Sequence, residues 1–139
     1  GAQMLERTLV FLKPDAVARK LIGKVIARFE DRGFDILTLK MLRMTEEMVD
    51  IHYAEHLKKP FYPPLKKFIL SGPIVAMIIE GEEAVQVVRK MVGCTNGLEA
   101  ESGTLRGDFT LSNRVNLVHA SDSLETAHRE IEHFFGQVS

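Results

Sequence analysis

Hydrophobic positions along the chain alternate between runs typical of buried strands and spacings typical of amphipathic helices. Residues 8–12 (TLVFL) and 74–79 (IVAMII) are continuous apolar runs of β type, and the second is expected at the centre of a sheet. Residues 34–44 predict another strand. A short fourth strand is predicted where the apolar residues after Asn116 reach His119. The pattern therefore predicts four strands separated by helical or irregular segments.

The segments between these strands carry helical spacing. Apolar residues recur at i, i+3, i+4 and i+7 from Ile22 to Phe29, and Gly33 follows, which predicts a helix that ends at this glycine. Further helices are predicted over 46–56 after an N-cap at Thr45, over 65–70 after chain breaks at Pro60, Pro63 and Pro64, over 85–92 before Gly93, and over 124–135.

The order of these elements predicts the fold class. Strand, helix, strand, helical hairpin, strand, helix, long loop, short strand and helix follow one another, and two β-α-β units share one sheet. This order is typical of a ferredoxin-like α/β sandwich, with a four-stranded, mainly antiparallel sheet and helices packed on it. Residues 94–114 lack periodicity, so this long loop is expected to be functional or to hide an element.

Composition narrows the class of protein. The length of 139 residues suggests one domain over 1–139, and residues 1–3 resemble a cloning remnant. Hydrophobic residues make up 45% of the chain and charged residues 27%, which is an ordinary balance for a globular protein. The formal net charge is −1, so the protein as a whole has no positive field that would attract nucleic acid or anionic membranes. The single cysteine, Cys94, excludes a disulfide within the chain, and no run reaches transmembrane length. We therefore expect a cytoplasmic protein.

Residues 116–123 (NLVHASDS) carry the most informative chemistry. His119 stands at a strand end before a predicted helix whose N-cap is expected at Asp122, with Glu125 three residues later. Backbone N–H groups and hydroxyls at such a place can hold an anion. An imidazole there can act as nucleophile, general base, metal ligand or merely structural residue. These residues alone leave the choice open.

The other histidines and the cysteine carry weaker signals. His52 and His56 have the i, i+4 spacing of a metal pair, but no third ligand is evident, and solvated helix histidines are commoner. His128 and His133 fall on the polar side of the last helix and are expected to be solvated. Cys94 lacks a partner signature and is expected to be a small core thiol.

Several basic residues and one aromatic residue are candidates for binding phosphate or a base. Lys13, Arg89 and Arg106 could contact phosphate, but each taken alone is more consistent with ordinary surface charge. Phe61 lies among prolines, where it is either a satellite of the core or an exposed plate for stacking a base. No Walker-type loop and no dinucleotide-binding glycine fingerprint occur.

Six motifs taken together resemble those of the nucleoside diphosphate kinase family, over about residues 6–135. They are Lys13-Pro14-Asp15, Arg28-Phe29-Glu30, Pro60-Phe61, Ser71-Gly72-Pro73, residues 103–109 (GTLRGDF) and residues 116–123. The last two are the most specific, and their occurrence in order makes a chance resemblance very improbable.

The resemblance implies a two-step phosphoryl transfer. By the family pattern His119 attacks the γ-phosphate of a nucleoside triphosphate, and the phosphohistidine then passes the group to a nucleoside diphosphate. Glu130, on the flank of the last helix, matches the carboxylate that orients the histidine, and Ser121 matches the hydroxyl beside it. Tyr53 matches a tyrosine near the phosphate and the histidine. A neutral imidazole with one free nitrogen is what this chemistry needs.

The resemblance also implies the nucleotide contacts and the partners. The phosphates and ribose would be held by Lys13, Arg89, Thr95, Arg106 and Asn116, and the base end of the site would comprise Phe61, Leu65 and Asn113. Mg²⁺ would be carried by the nucleotide phosphates with no direct protein ligand. A homo-oligomer built from dimers into tetramers or hexamers is expected, and a nucleic acid partner is not.

The chain departs from the family pattern at four places. Gly97 replaces a proline of the family pattern, and Asn113 replaces an aliphatic residue beside the base. Phe134 replaces a tryptophan, and the chain ends early at Ser139. The first and last are expected to affect loop rigidity and subunit contacts, and Asn113 to give a mild purine bias. Two alternatives remain on this fold, an idle nucleotide-binding regulatory module and a nucleic-acid-binding protein. An idle module should have lost His119 or a basic residue, and neither is lost.

Overall fold

The computed structural model describes residues 4–136, in which four antiparallel strands form one sheet in the order β2-β3-β1-β4. The elements are β1 (Leu5–Leu12), α1 (Pro14–Ala18), α2 (Ile22–Arg32), β2 (Asp35–Leu42), α3 (Glu46–His52), a 3₁₀ turn (Ala54–His56), α4 (Tyr62–Ile69), β3 (Ile74–Glu82), α5 (Ala84–Val92), α6 (Leu105–Phe109), β4 (Val118–Ala120) and α7 (Leu124–Phe135). The ferredoxin-like prediction is confirmed, including the central position of β3. None of the helices in this range is long and apolar enough to cross a membrane.

The sheet separates two apolar layers because successive side chains of a strand point to opposite faces. On β1, Val10 and Leu12 pack with buried residues of α2 and α5. Leu9 and Phe11 pack in the other layer, with buried residues of α3, α4 and α7. Burial on both faces explains why β1 and β3 are continuous apolar runs in the sequence.

Two predicted helix ends are confirmed, and one is shifted. Gly33 ends α2 in a left-handed conformation with φ 104°, and the Thr45 side chain caps α3 by accepting from the Met48 N–H. The N-cap of α7 is Ser123 rather than Asp122. Both are good cap types, and the helix register selects Ser123, whose Oγ accepts from the Thr126 N–H.

Prolines lie in the first turns of two helices, whereas the sequence pattern predicts that Pro60, Pro63 and Pro64 break the chain. Pro14 begins the five-residue α1, which was not predicted, and α4 begins at Tyr62 with Pro63 and Pro64 in its first turn. Proline is tolerated there because the first-turn N–H groups have no partner within the helix. Helix α3 ends at His52, so the predicted 46–56 helix is a helix followed by a 3₁₀ turn.

The long loop hides the short helix α6, capped by Thr104, whose Oγ1 accepts from the Gly107 N–H at 3.0 Å. The conformation of the same loop explains why glycine occupies position 97.

A Cβ at this position would lie 1.9 Å from Thr110 Oγ1, and the Gly97 N–H donates to the Ser112 carbonyl at 2.9 Å. Proline would lose this hydrogen bond and clash, so glycine is required by this loop conformation.

Candidate active site

A cleft of about 1150 Å³ opens beside β4, between the α3–α4 hairpin and the long loop. It is lined by eleven of the twelve predicted site residues: Lys13, Tyr53, Phe61, Leu65, Arg89, Thr95, Arg106, Asn113, Asn116, His119 and Glu130. The twelfth, Ser121, is buried behind Glu130 and bonds to it. The fold thus brings together residues that are spread over most of the chain.

His119 lies at the middle of β4 with one ring nitrogen engaged. Its Nε2 lies 3.0 Å from Oε1 and 3.1 Å from Oε2 of Glu130, and its ring stacks on Phe11 at 4.9 Å between centroids. A carboxylate can only accept, so the ring proton is on Nε2. Within residues 4–136 no hydrogen bond is made to Nδ1, which carries the lone pair. The ring therefore offers Nδ1 as a nucleophile or ligand.

Glu130 is held as an anion under this ring. Burial raises the pKa of its carboxyl, but the hydrogen bond and charge of His119, the charge of His52 and the Ser121 bond outweigh burial and lower the pKa. Ser121 Oγ donates to Oε1 at 2.6 Å. The carboxylate is thus ionised at neutral pH and can stabilise positive charge that develops on His119.

A strained turn sets the position of His119. Leu117 is buried with φ 80°, and the Val118 N–H donates to the Asn116 carbonyl at 2.9 Å, which makes a tight three-residue turn. The Leu117 N–H donates to Asp15 Oδ2 at 3.0 Å, and its carbonyl accepts from the Lys13 N–H at 2.8 Å. The β1–α1 connection therefore holds a conformation that costs about 1–3 kcal/mol.

Lys13 is buried at the inner end of the cleft. Its Nζ donates to Asn116 Oδ1 at 2.6 Å. Burial, followed by the charge of Arg106, lowers the pKa of Lys13 to about 7, with Asp15 opposing the shift. Asp15 thus compensates the burial of the ammonium group only in part, and an entering phosphate would raise the pKa of Lys13 and favour its charged form.

Arg106 is buried and fixed by carbonyl groups. Its guanidinium donates to the carbonyls of Val118 at 2.6 Å, Gly93 at 3.0 Å and Asn116 at 3.2 Å. Burial, with the nearby charge of Arg89, lowers its pKa to about 10. Since five basic side chains line one cleft, Lys13, Arg89, Arg106, Arg114 and Arg129, the arrangement suits a polyanionic ligand.

The rim of the cleft presents aromatic groups. Phe61 is 50% exposed, so its ring is accessible for stacking rather than packed in the core. The centroid of the His56 ring lies 5.3 Å from that of Phe61, and Lys59 Nζ lies 5.7 Å from it. The Tyr53 hydroxyl is buried with no hydrogen-bond partner among the described residues. Burial, with the charge of Glu130, raises the pKa of Tyr53, so its hydroxyl stays neutral and can donate to a ligand.

His52 is the site residue that sequence reasoning missed. It was expected to be solvated, but its side chain is 2% exposed and forms a cluster with His119 and Glu130 whose ligand atoms lie within 4.8 Å. Val49, three residues earlier, is buried on the same face of α3, and this spacing was the available signal. His56 is not one of the three ligand groups in this cluster.

Two lesser predictions were wrong. Cys94 is exposed rather than in the core, because Gly93 with φ 89° turns the chain out of α5. His133 is half-buried with Nε2 3.3 Å from the Met48 carbonyl oxygen, whereas His128 is exposed as predicted.

Comparison with known proteins identifies the family. The family model described as "Nucleoside diphosphate kinase" matches residues 6–139. The chain belongs to the nucleoside diphosphate kinase family. It is therefore a phosphotransferase that transfers the γ-phosphate of a nucleoside triphosphate to a nucleoside diphosphate. The family requires a divalent metal ion for catalysis.

Individual relatives agree over nearly full length. The "Nucleoside diphosphate kinase" of Methanococcus maripaludis is 58% identical over 96% of this chain and 100% of its own, and that of Rhodopirellula baltica is 56% identical over 94% and 86%. Among solved structures, a halophilic nucleoside diphosphate kinase from Halobacterium salinarum in complex with CDP has a TM-score of 0.94 and 43% identity, covering 96% of this chain and 90% of its own. An apo enzyme from Encephalitozoon cuniculi has a TM-score of 0.93 and 37% identity, covering 96% and 94%.

Proposed function

We propose that the enzyme works by a ping-pong mechanism through a phosphohistidine on His119. Nδ1 attacks the γ-phosphorus, the N–P bond forms, the bond from phosphorus to the bridging oxygen breaks, and the nucleoside diphosphate leaves. A second nucleoside diphosphate then attacks the phosphohistidine through a terminal phosphate oxygen and restores the free imidazole. The observation that carries this proposal is the pairing of Nε2 with Glu130, which leaves Nδ1 as the nucleophile.

The remaining cleft residues would position the nucleotide. Lys13, Arg89 and Arg106 would neutralise the phosphates, which matters because phosphoryl transfer depends mainly on positioning and charge stabilisation. The neutral Tyr53 hydroxyl would donate to the transferred phosphate. The further contacts would be Thr95 and Asn116 to the phosphates and ribose, and Phe61, Leu65 and Asn113 at the base.

The divalent ion would be Mg²⁺ carried by the nucleotide. Mg²⁺ takes oxygen ligands and keeps several waters, whereas the His52, His119 and Glu130 cluster is rich in nitrogen. The other carboxylates lining the cleft, Glu55 and Asp122, are exposed and form no closed cage in the described residues. When bound, the ion would neutralise phosphate charge, and the protein would hold it only through the nucleotide.

The direct test is incubation with γ-labelled ATP, followed by mapping of the label. We expect acid-labile, alkali-stable label on His119, which added nucleoside diphosphate removes. Absence of label together with normal ADP binding would instead favour an idle nucleotide-binding module.

Asn113 is proposed to give a mild base preference. It is exposed and lines the cleft. Its amide would offer a donor and an acceptor to the base, whereas stacking on Phe61 alone would accept any base. A partly exposed hydrogen bond is worth about 0.5–1.5 kcal/mol, so we expect a purine bias of ~2- to 10-fold that Asn113→Val removes. The measurement is kcat/KM for GDP, ADP, CDP and UDP in both proteins. An identical ranking would exclude Asn113 from base choice.

A homo-oligomer is proposed, with the edge strand β2 in the contact. Three alternate apolar residues of β2 are exposed, Leu37 at 40%, Leu39 at 49% and Met41 at 57%. Among the strands that the structure describes, β2 pairs with β3 alone and so forms an edge of the sheet. An exposed apolar edge strand invites pairing with another copy. We expect light scattering to show at least a dimer at micromolar concentration, and Leu39→Lys to shift it toward monomer. Leu111→Lys, at a site 79% exposed elsewhere, is the matched control. A monomeric wild type would contradict the proposal.

We also propose a single domain over residues 1–139 and a cytoplasmic location. The family match covers 6–139, and a free exposed thiol at Cys94 fits a reducing compartment.

A further inference from the structure

His52 lies against the site without a role in the mechanism above. It is the last residue of α3, and its buried Nδ1 has no hydrogen-bond partner within residues 4–136. The carboxylate oxygen beside it is Oε2 of Glu130, which lies 3.5 Å from Nδ1. A buried nitrogen left without a full hydrogen bond destabilises the fold, so its placement beside a functional carboxylate calls for an explanation.

The two oxygens of Glu130 are surrounded in matching ways. Oε1 accepts from Ser121 at 2.6 Å and lies 3.0 Å from His119 Nε2. Oε2 lies 3.1 Å from the same Nε2, and its second neighbour is His52 Nδ1. Ser121 therefore restrains the carboxylate on one side, and His52 occupies the corresponding place on the other.

The His52 ring is fixed by aromatic neighbours. It stands almost perpendicular to His119, at 84° and 4.5 Å between centroids, and to Tyr53 at 86° and 4.5 Å. Phe11 and Phe134 contact it at 5.2 and 5.8 Å. These neighbours restrict rotation of the ring, and Nδ1 lies 3.5 Å from Oε2 of Glu130.

Its charge state suits a donor. Burial lowers the pKa of His52 well below 6.5, His119 lowers it further, Glu130 opposes the shift, and His133 and Lys13 add to it. The ring is therefore neutral at pH 7 and carries one N–H. Beside an anionic carboxylate the proton is favoured on Nδ1, because a lone pair there would face negative charge.

We propose that His52 is a positioning residue, whose Nδ1–H holds Oε2 of Glu130 opposite Ser121 and so keeps the carboxylate on Nε2 of His119. This inference rests on the proposed phosphohistidine mechanism. His52 acts through Glu130, so it should influence the transfer step and not the binding of nucleotide.

Two variants separate the ring from its nitrogen. His52→Phe keeps an aromatic ring but removes the donor, and His52→Asn removes the ring but keeps an amide N–H near the position of Nδ1. We expect His52→Phe to slow phosphohistidine formation from ATP in single-turnover experiments by about 3- to 30-fold, with ADP affinity unchanged within about twofold. His52→Asn should recover to within about threefold of wild type. His133→Phe, the same change at a half-buried histidine that contacts Met48 instead, is the matched control and should leave the rate unchanged.

The outcomes are distinct from a failure of the mechanism itself. No label on His119 in the wild type would refute the phosphohistidine. Normal labelling in the wild type with equal rates in His52→Phe, or a loss of ADP affinity equal to the loss of rate, would overturn the role of His52 alone. Nitrogen-15 NMR of the wild type decides independently of any variant: a protonated Nδ1 on His52 supports the proposal, and a proton on Nε2 overturns it.

Discussion

His119→Ala is expected to reduce phosphoryl transfer by at least about 10⁴-fold, since it removes the atom proposed to form the covalent bond. Nucleotide binding should largely survive, because the proposed contacts are spread over Lys13, Arg106 and other residues that line the cleft. The measurements are the exchange rate between ATP and a second nucleoside diphosphate, and the ADP affinity of the same sample by calorimetry.

His128→Ala is the matched control, because His128 is an exposed histidine on α7 outside the described site. It should transfer and label like the wild type. Transfer by His119→Ala within tenfold of the wild type would remove His119 as the nucleophile. Loss of ADP binding in the same variant would point to misfolding, which a thermal unfolding curve detects.

Glu130→Gln is expected to slow transfer by roughly ten- to a thousandfold, by analogy with the loss of other orienting carboxylates. The amide keeps the shape and can accept one hydrogen bond, but it cannot stabilise the positive charge that develops on His119. Since the pKa of Glu130 is lowered in the fold, its contribution to stability is present above about pH 4.5 and is lost as the pH falls through the folded value. Rates should therefore be compared at neutral pH, with unfolding followed in parallel.

The control for this prediction lies two residues along the same helix. Glu132 is exposed, so Glu132→Gln removes one carboxylate from α7 without touching the cleft, and transfer should not change. An unchanged rate in Glu130→Gln would mean that another group orients His119. Equal slowing in both variants would indicate a general effect of charge on α7.

Local patterns predicted the framework because the forces behind them are local. Strands β1 and β3 are buried on both faces, so they are continuous apolar runs in the sequence. Helices α2, α5 and α7 are buried on one face, so their apolar residues recur with helical periodicity. The motifs resembling the family added the candidate residues, all but one of which line the cleft. The α7 cap moved by one residue because several good cap types adjoin and tertiary packing sets the register.

The geometry of the site needed the tertiary structure, because its contacts join residues far apart in the chain. Lys13 meets Asn116 across 103 positions, and Asp15 meets Leu117 across 102, only because β1 pairs with β4. The φ of 80° at Leu117 contradicts local preference, and only the surrounding hydrogen bonds maintain it.

His52 shows the same division between sequence and structure. Its spacing along α3 places it on the buried face, but whether that face meets solvent, core or the Glu130 carboxylate depends on how α3 packs on the sheet and α7. The sequence by itself determined the four strands, the longer helices, the family motifs and the candidate nucleophile His119, whereas α1, α6 and the break in the 46–56 helix emerged only in the structure. Tertiary packing decided which nitrogen of His119 is free, which lysine has a pKa lowered by burial and which second histidine faces Glu130, because burial and long-range contacts set hydrogen bonding and pKa.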